Sequence, residues 1–174
     1  RIHPHYGVFS PVRGEYIELL LKAPLPTSIS QNSLAFDIGT GTGVLSVVLA
    51  ARGVDKIIAT DLDDRAIACA KENIHLLDLD PYVQVMKADL FPEGMAALIV
   101  CNPPWLPARP SSSLERAVYD PDSQMLKAYL AGLKMHLLPD GEGWLILSDF
   151  AEHLGLRTRE ELLSWIDPVS YTHL

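Results

Sequence analysis

The chain has 174 residues, 48% of them hydrophobic, which is the size and apolar content of one domain able to bury a core. Its formal net charge of −8 excludes a protein that grips nucleic acid by bulk electrostatics, since phosphate binding draws on Lys and Arg; an enzyme meeting RNA through a local patch stays open. No apolar run approaches the ~20 residues of a membrane helix, and the only cysteines, Cys69 and Cys101, sit in helix-like and strand-like segments, which points to a reducing cytoplasm rather than a disulfide framework.

The chain opens at Arg1 with no signal peptide pattern, and its natural start is expected to lie elsewhere. Residues 1–32 form an N-terminal segment in which GEYIELLLKA (14–23) reads as a helix packing against the sheet. SLAFDIG (33–39) is a short apolar run ending in glycine, and GVLSVVLAARG (43–53) is helix-like, with Gly53 placed to end it. KIIATD (56–61) is strand-like. In DRAIACAKENIHLL (64–77), Ile67, Ala70, Ile74 and Leu77 share one helical face, with Asp64 placed to cap the start. YVQVMKAD (82–89) alternates as a strand does, and AALIVCN (96–102) reads as a buried strand. SQMLKAYLAGLKMHLL (123–138) carries Leu126, Leu130, Leu133 and Leu137 on one face and stops at PDG; GWLILSDF (143–150) is a further buried strand. TREELLSWI (158–166) opens with a capping box, Thr158 to Glu161. Residues 167–174 show no clear pattern and are set apart from the domain, 33–166, as a doubtful tail.

Strands alternating with helices imply right-handed crossovers and an α/β fold: a three-layer, doubly wound, mostly parallel sheet. Ligands bind such sheets outside the carboxyl ends of the strands. Five strand ends therefore hold the candidate functional residues: Asp37–Gly43, Asp61, Asp89, Asn102–Trp105 and Asp149.

DIGTGTG places glycines at 39, 41 and 43 around Thr40. The third glycine comes one residue too early for a dinucleotide fingerprint, and no Lys-Ser/Thr follows to make a P-loop. Asp37 would repel a pyrophosphate and suits a cofactor that carries positive charge. Asp61 can accept from ribose hydroxyls and Asp89 from an exocyclic amine. Three carboxylates at adjacent strand ends suit an adenosine bearing an amino acid and a sulfonium. Each feature has a plainer reading: the glycines as a turn, Asp61 and Asp63 as helix caps, Asp89 as a solvated strand end.

Over residues 34–150 the order and spacing of these segments resemble the class I S-adenosylmethionine-dependent methyltransferases. DIGTGTG is similar to their cofactor loop, ATDLD to their ribose-binding strand end, and KADLF to their adenine-contact segment. The resemblance implies S-adenosylmethionine as cofactor, held by Asp37, Gly39, Thr40, Gly41, Gly43, Asp61, Leu62, Asp89 and Leu90. It also implies an antiparallel C-terminal hairpin, which this sequence stops short of supplying.

NPPW (102–105) resembles the N-P-P-aromatic signature of methyltransferases acting on planar amino groups: adenine-N6, guanine-N2 of RNA, and the glutamine amide of translation termination factors. The chemistry fits the residues. A conjugated amine must be held with its lone pair directed at the methyl group. The Asn102 side-chain oxygen and the Pro103 backbone carbonyl can accept its two N–H groups, and Pro103 and Pro104 fix the direction. Trp105 offers a flat face to a planar substrate. The plainer reading is a strand-ending turn with Trp105 in the core. GVFS (7–10), ahead of a helix and the glycine loop, resembles the small-domain members of the same class and makes Phe9 a candidate for closing over cofactor or substrate, or else a hydrophobic anchor. Arg109 and Arg116 lie in a Pro- and Ser-rich segment that is either a substrate-contacting rim or a solvated loop. His3 and His5 read as surface residues without metal-ligand spacing, and Trp144 and Trp165 as packing residues.

The expectation is thus an N-methyltransferase acting on an RNA or DNA base, with a protein glutamine as the alternative substrate and the oligomeric state open. A nicotinamide-dependent oxidoreductase and a non-catalytic module of the same fold are the readings from other classes.

Overall fold

In the computed structural model, which describes residues 1–6, 8, 15–108 and 118–170, two strongly apolar runs lie side by side at the centre of a sheet. β1 (Leu34–Ile38) and β4 (Ala96–Cys101) pair in parallel, Ala35 opposite Leu98 and Ile38 opposite Cys101. β2 (Lys56–Asp61) lies beyond β1, β3 (Val83–Lys87) beyond β2, and β5 (Leu137–Leu145) outside β4. The order is β3-β2-β1-β4-β5, and every pairing is parallel. All six residues of β4 are buried, which is why it reads as an unbroken apolar run rather than an alternating one.

Strand alternation divides the core into two layers. Ala35, Leu98 and Val100 face α1 (Glu15–Lys22), α2 (Val44–Ala51) and α3 (Asp64–Leu76), which supply Leu20, Leu45, Leu49, Ala70 and Ile74. Phe36, Ile38, Ile99 and Cys101 face α4 (Gln124–His136) and α6 (Arg159–Ser170), which supply Leu126, Tyr129, Leu130, Trp165 and Ile166. The Tyr129 hydroxyl donates to the carbonyls of Ile99 (3.0 Å) and Trp144 (3.3 Å), so this helix is pinned to both β4 and β5. The link from β3 to β4 has no helix; Leu90 and Phe91 lie against the α4 side. The Phe91 ring stacks on His136, with 4.4 Å between centroids.

Four sequence expectations change. α3 is capped by Asp63, whose side chain accepts from Arg65 N, and not by Asp64, whose carboxylate is bonded by Lys87 Nζ. The strand expected at 143–150 runs earlier: α4 passes at His136 directly into β5, through Pro139-Asp140-Gly141. Leu137 keeps the helical spacing, but Pro139 cannot continue a helix, and a register break opposite Ala96 and Leu98 absorbs the extra residues. Asp149 is consequently not a strand end; it precedes the short α5 (Phe150–His153) and its carboxylate meets His153 Nε2 at 3.2 Å. Finally, α6 continues through Asp167–Ser170, with Pro168 inside it and Val169 packed on the second layer. The Glu161 N–H does reach Thr158 Oγ1 (3.1 Å), one half of the anticipated capping box. Among the described residues no strand pairs with the outer edge of β5, no helix is long and apolar enough to cross a membrane, and Cys69 and Cys101 are both free thiols.

Candidate active site

In a parallel sheet all carboxyl ends fall on one side, and here the strand order reverses between β1 and β4. That is the crevice where ligands bind in open α/β sheets. Register places Thr60 beside Ile38 on one flank and Cys101 beside Ile38 on the other. Gly39 therefore emerges between Asp61 and Asn102, about one strand spacing (~4.8 Å) from each.

Gly39, Gly41 and Gly43 all take left-handed backbone conformations, with φ of 69°, 56° and 83°. Side-chain-bearing residues enter this region at a cost, so the three glycines are a conformational requirement of the loop. The loop is tied to β2 at two points: Thr40 N donates to Thr60 O at 2.8 Å, and Gly41 N donates to Asp61 Oδ2 at 3.0 Å. A Cβ built on Gly41 would meet nothing within 4 Å, so this face of the loop is open.

Asp37 lies beneath the loop and is fully buried. Its Oδ2 accepts three bonds, from Thr40 Oγ1 (2.7 Å), Ser46 N (3.0 Å) and Ser46 Oγ (2.6 Å), while its Oδ1 has no partner. Burial pushes its carboxyl above the ordinary carboxylate range, and the bonds from Ser46 and Thr40 oppose that shift. The site thus holds a carboxylate with half its acceptor capacity unused. Asp61 is also raised by burial, against bonds from the backbone N–H groups of Asp63, Gly41 and Leu62. Of the other residues expected at this end, Leu62 is exposed (62%), Asp89 is exposed, and Leu90 is half-buried with a φ of 63° and its carbonyl accepting from Thr60 Oγ1 at 2.6 Å.

At the end of β4, Asn102 is half-buried, Pro103 buried, and Pro104 and Trp105 half-buried. The indole Nε1–H of Trp105 donates to Asn102 Oδ1 at 3.0 Å, a bond the sequence did not suggest. Leu106 closes the motif: it is buried, its N–H donates to Val118 O (2.9 Å) and its carbonyl accepts from Asp120 N (2.7 Å). Cys101, just before the motif, is fully buried, and its thiol is pushed well up by burial and by the charge of Asp37, which disfavours the thiolate form. Phe9, Arg109 and Arg116 lie outside the described residues. Among the described residues no group of His, Cys, Asp and Glu is arranged to hold a metal ion.

Three contributors escaped the sequence reading. Ser46 is the lone polar residue of α2, and that isolation was the available signal. Asn73 is buried in α3 and spans two segments: its Nδ2 donates to Thr42 O and His3 O (both 3.0 Å), and its Oδ1 accepts from His3 N (2.7 Å). The N-terminal residues are thereby tied to the glycine loop, and His5 is held beside them by Glu72 (2.6 Å). Asp120 receives Met125 N (2.9 Å) and Leu126 N (3.1 Å), fixing the start of α4, whose Met125 tip lies where a Gly39 Cβ would go.

The ribosomal protein L11 methyltransferase (PrmA) family model matches residues 19–103. A tRNA1(Val) (adenine(37)-N6)-methyltransferase of Shewanella halifaxensis is 34% identical over 150 residues, covering 79% of this chain and 57% of the relative. A candidate protein N5-glutamine methyltransferase of Methanocaldococcus jannaschii is 31% identical over 117 residues, covering 66% of this chain and 55% of the relative. The chain therefore spans little more than half the length of these two relatives. Among solved structures, a ribosomal protein L11 methylase from Lactobacillus delbrueckii subsp. bulgaricus superposes with a TM-score of 0.67 at 18% identity, over 94% of this chain and 71% of that one.

Proposed function

The chain belongs to the class I S-adenosylmethionine-dependent methyltransferases, and we propose from that premise that it methylates a planar amino nitrogen of a nucleic-acid base. The observation that carries the reading is the register of β1 against β4, which sets Asn102-Pro103-Pro104-Trp105 beside the glycine loop at the strand-order reversal. The residues present suit the cofactor. Asp37 is a buried carboxylate with an unpartnered oxygen, for which a cationic ligand supplies the missing counter-charge. Gly41 leaves open space above the loop, and Asp61 stands at the neighbouring strand end with acceptor capacity left on its carboxylate.

When bound, S-adenosylmethionine supplies a methyl group on a positively charged sulfur. The chain's task is to place the incoming nitrogen. Asn102 Oδ1 and the Pro103 carbonyl accept its two N–H groups, turn its lone pair toward the methyl group and stabilise the positive charge that develops on it. Trp105 lies against the planar group that bears the amine. No strong base is needed, because the proton is lost after the nitrogen has become cationic.

An RNA or DNA base is favoured over a protein glutamine by the extent of similarity. Both alignments are long enough to cross residues 102–105; the longer one covers 79% of the chain against 66%, and its relative is named for adenine-N6. The shorter similarity to the M. jannaschii protein supports the glutamine amide as the second reading. Tritium transfer from labelled cofactor to tRNA, ribosomal RNA, DNA and translation termination factors separates the two. Label in nucleic acid alone is the expected result; label in protein alone overturns the base reading in favour of glutamine. Asn102→Ala should abolish transfer while calorimetry with S-adenosylhomocysteine shows unchanged affinity.

A further inference from the structure

Resting on the reading that Asn102 receives the substrate amine, we propose that Trp105 is a positioning residue whose indole N–H dictates which end of the Asn102 amide faces that amine. An asparagine amide has two ends of nearly the same shape and opposite hydrogen-bonding sense. An amine presents donors, so only the oxygen end can receive it; the amide turned by 180° would set NH2 against N–H. A strand-end asparagine has no intrinsic preference between these two states.

Trp105 supplies one. The indole nitrogen can only donate, and it lies 3.0 Å from Asn102 Oδ1. Turning the amide over would lose that bond and place two donors face to face. The oxygen accepts the indole N–H with one lone pair and keeps the other for substrate. The backbone that carries the indole is held on both sides. Cys101 is locked into β4, Pro103 and Pro104 fix two successive φ angles, and Leu106 is pinned by Val118 and Asp120. Phe or Tyr at position 105 would keep a flat face but carries no donor at the ring position that reaches Asn102. The aromatic residue of this motif therefore does two separable things here: it offers a surface, and it sets the polarity of its neighbour.

The two jobs are told apart by indole resonances together with kinetics. The 15N-tryptophan-labelled chain, alone and with S-adenosylhomocysteine, gives an indole signal for Trp105 that Trp105→Phe identifies by its loss. Asn102→Ala should move that signal upfield and speed its exchange with water, leaving those of Trp144 and Trp165 in place. On whichever of the tRNA, ribosomal RNA, DNA or termination-factor probes accepts label, Trp105→Phe should lower kcat about three- to tenfold, the worth of one neutral hydrogen bond, with affinity for S-adenosylhomocysteine unchanged. In an Asn102→Asp background, whose side chain has oxygen at both ends, the same change should cost less than twofold. An indole signal indifferent to Asn102→Ala, or an equal loss from Trp105→Phe in both backgrounds, overturns the proposal. If no probe takes label, both the base and the glutamine readings fall, and the indole signal alone decides whether Trp105 holds the amide.

Discussion

Ser46→Ala tests how the loop is held from below. Ser46 is fully buried in the middle of α2, and its Oγ donates to Asp37 Oδ2 at 2.6 Å. Removing the hydroxyl leaves Asp37 with two bonds instead of three, on an oxygen that water cannot reach. A buried hydrogen bond to a charged acceptor contributes about 1.5–3 kcal/mol. Alanine's better helix propensity returns about 0.5 kcal/mol. The net loss is therefore about 1–2.5 kcal/mol, a fall in Tm of about 5 °C for a domain of this size. Urea denaturation at neutral pH measures it directly. Repeating the measurement in an Asp37→Asn background isolates the pair: there the loss should shrink toward the ~1 kcal/mol of a neutral hydrogen bond. An unchanged or raised midpoint for Ser46→Ala at neutral pH would refute the claim that Asp37 is a buried anion leaning on this hydroxyl.

Asp37→Asn itself should alter the pH profile. Burial raises the native Asp37 pKa above its unfolded value, so the folded chain holds the proton more tightly. Stability from this group is fully present below the ordinary carboxylate pKa and is lost as pH rises through the raised one. The variant lacks that loss, so its Tm relative to the parent should rise with pH from the ordinary carboxylate range and level off above the raised Asp37 pKa, as thermal melts in a pH series would show. Gly132→Ala should destabilise despite alanine's helix preference of about 1 kcal/mol: a Cβ there would collide with the Phe91 ring. Phe91→Leu should restore part of the loss, read from denaturant midpoints. Asn73→Ala should strip three bonds from His3 and Thr42, cost about 1–3 kcal/mol, and raise hydrogen exchange at both the N-terminal residues and the glycine loop.

How far sequence foretold the fold differs by element. β2 was legible to the residue because KIIATD is bounded by a glycine turn and an acidic cap. β4 and the glycine loop were legible because full burial and left-handed turns both restrict composition severely. The α4–β5 junction was misread because a heptad-like leucine at 137 fits a helical face and a buried strand equally well, and only the pairing partner, Ala96, distinguishes them. In the candidate site the residue types and strand-end positions of Asp37–Gly43, Asp61 and Asn102–Trp105 were visible, since chemistry dictates them, whereas Asp149 was displaced along with the end of β5. The supporting bonds were not. That Asn73 in α3 would span His3 and Thr42, or that the Trp105 indole would turn back onto Asn102, depends on distances that no local pattern encodes.

The reversal of strand order also divides the molecule in time. β1, β2 and β3 can assemble from consecutive stretches of chain, and with them come the glycines, Asp37 and Asp61. Asn102 joins only when Leu98 docks opposite Ala35, a pairing that must close a long intervening loop. If the proposed site is right, a half-formed chain would assemble the glycine loop, Asp37 and Asp61 before Asn102 arrives, and S-adenosylhomocysteine added early in refolding would gather the first half without hastening the second.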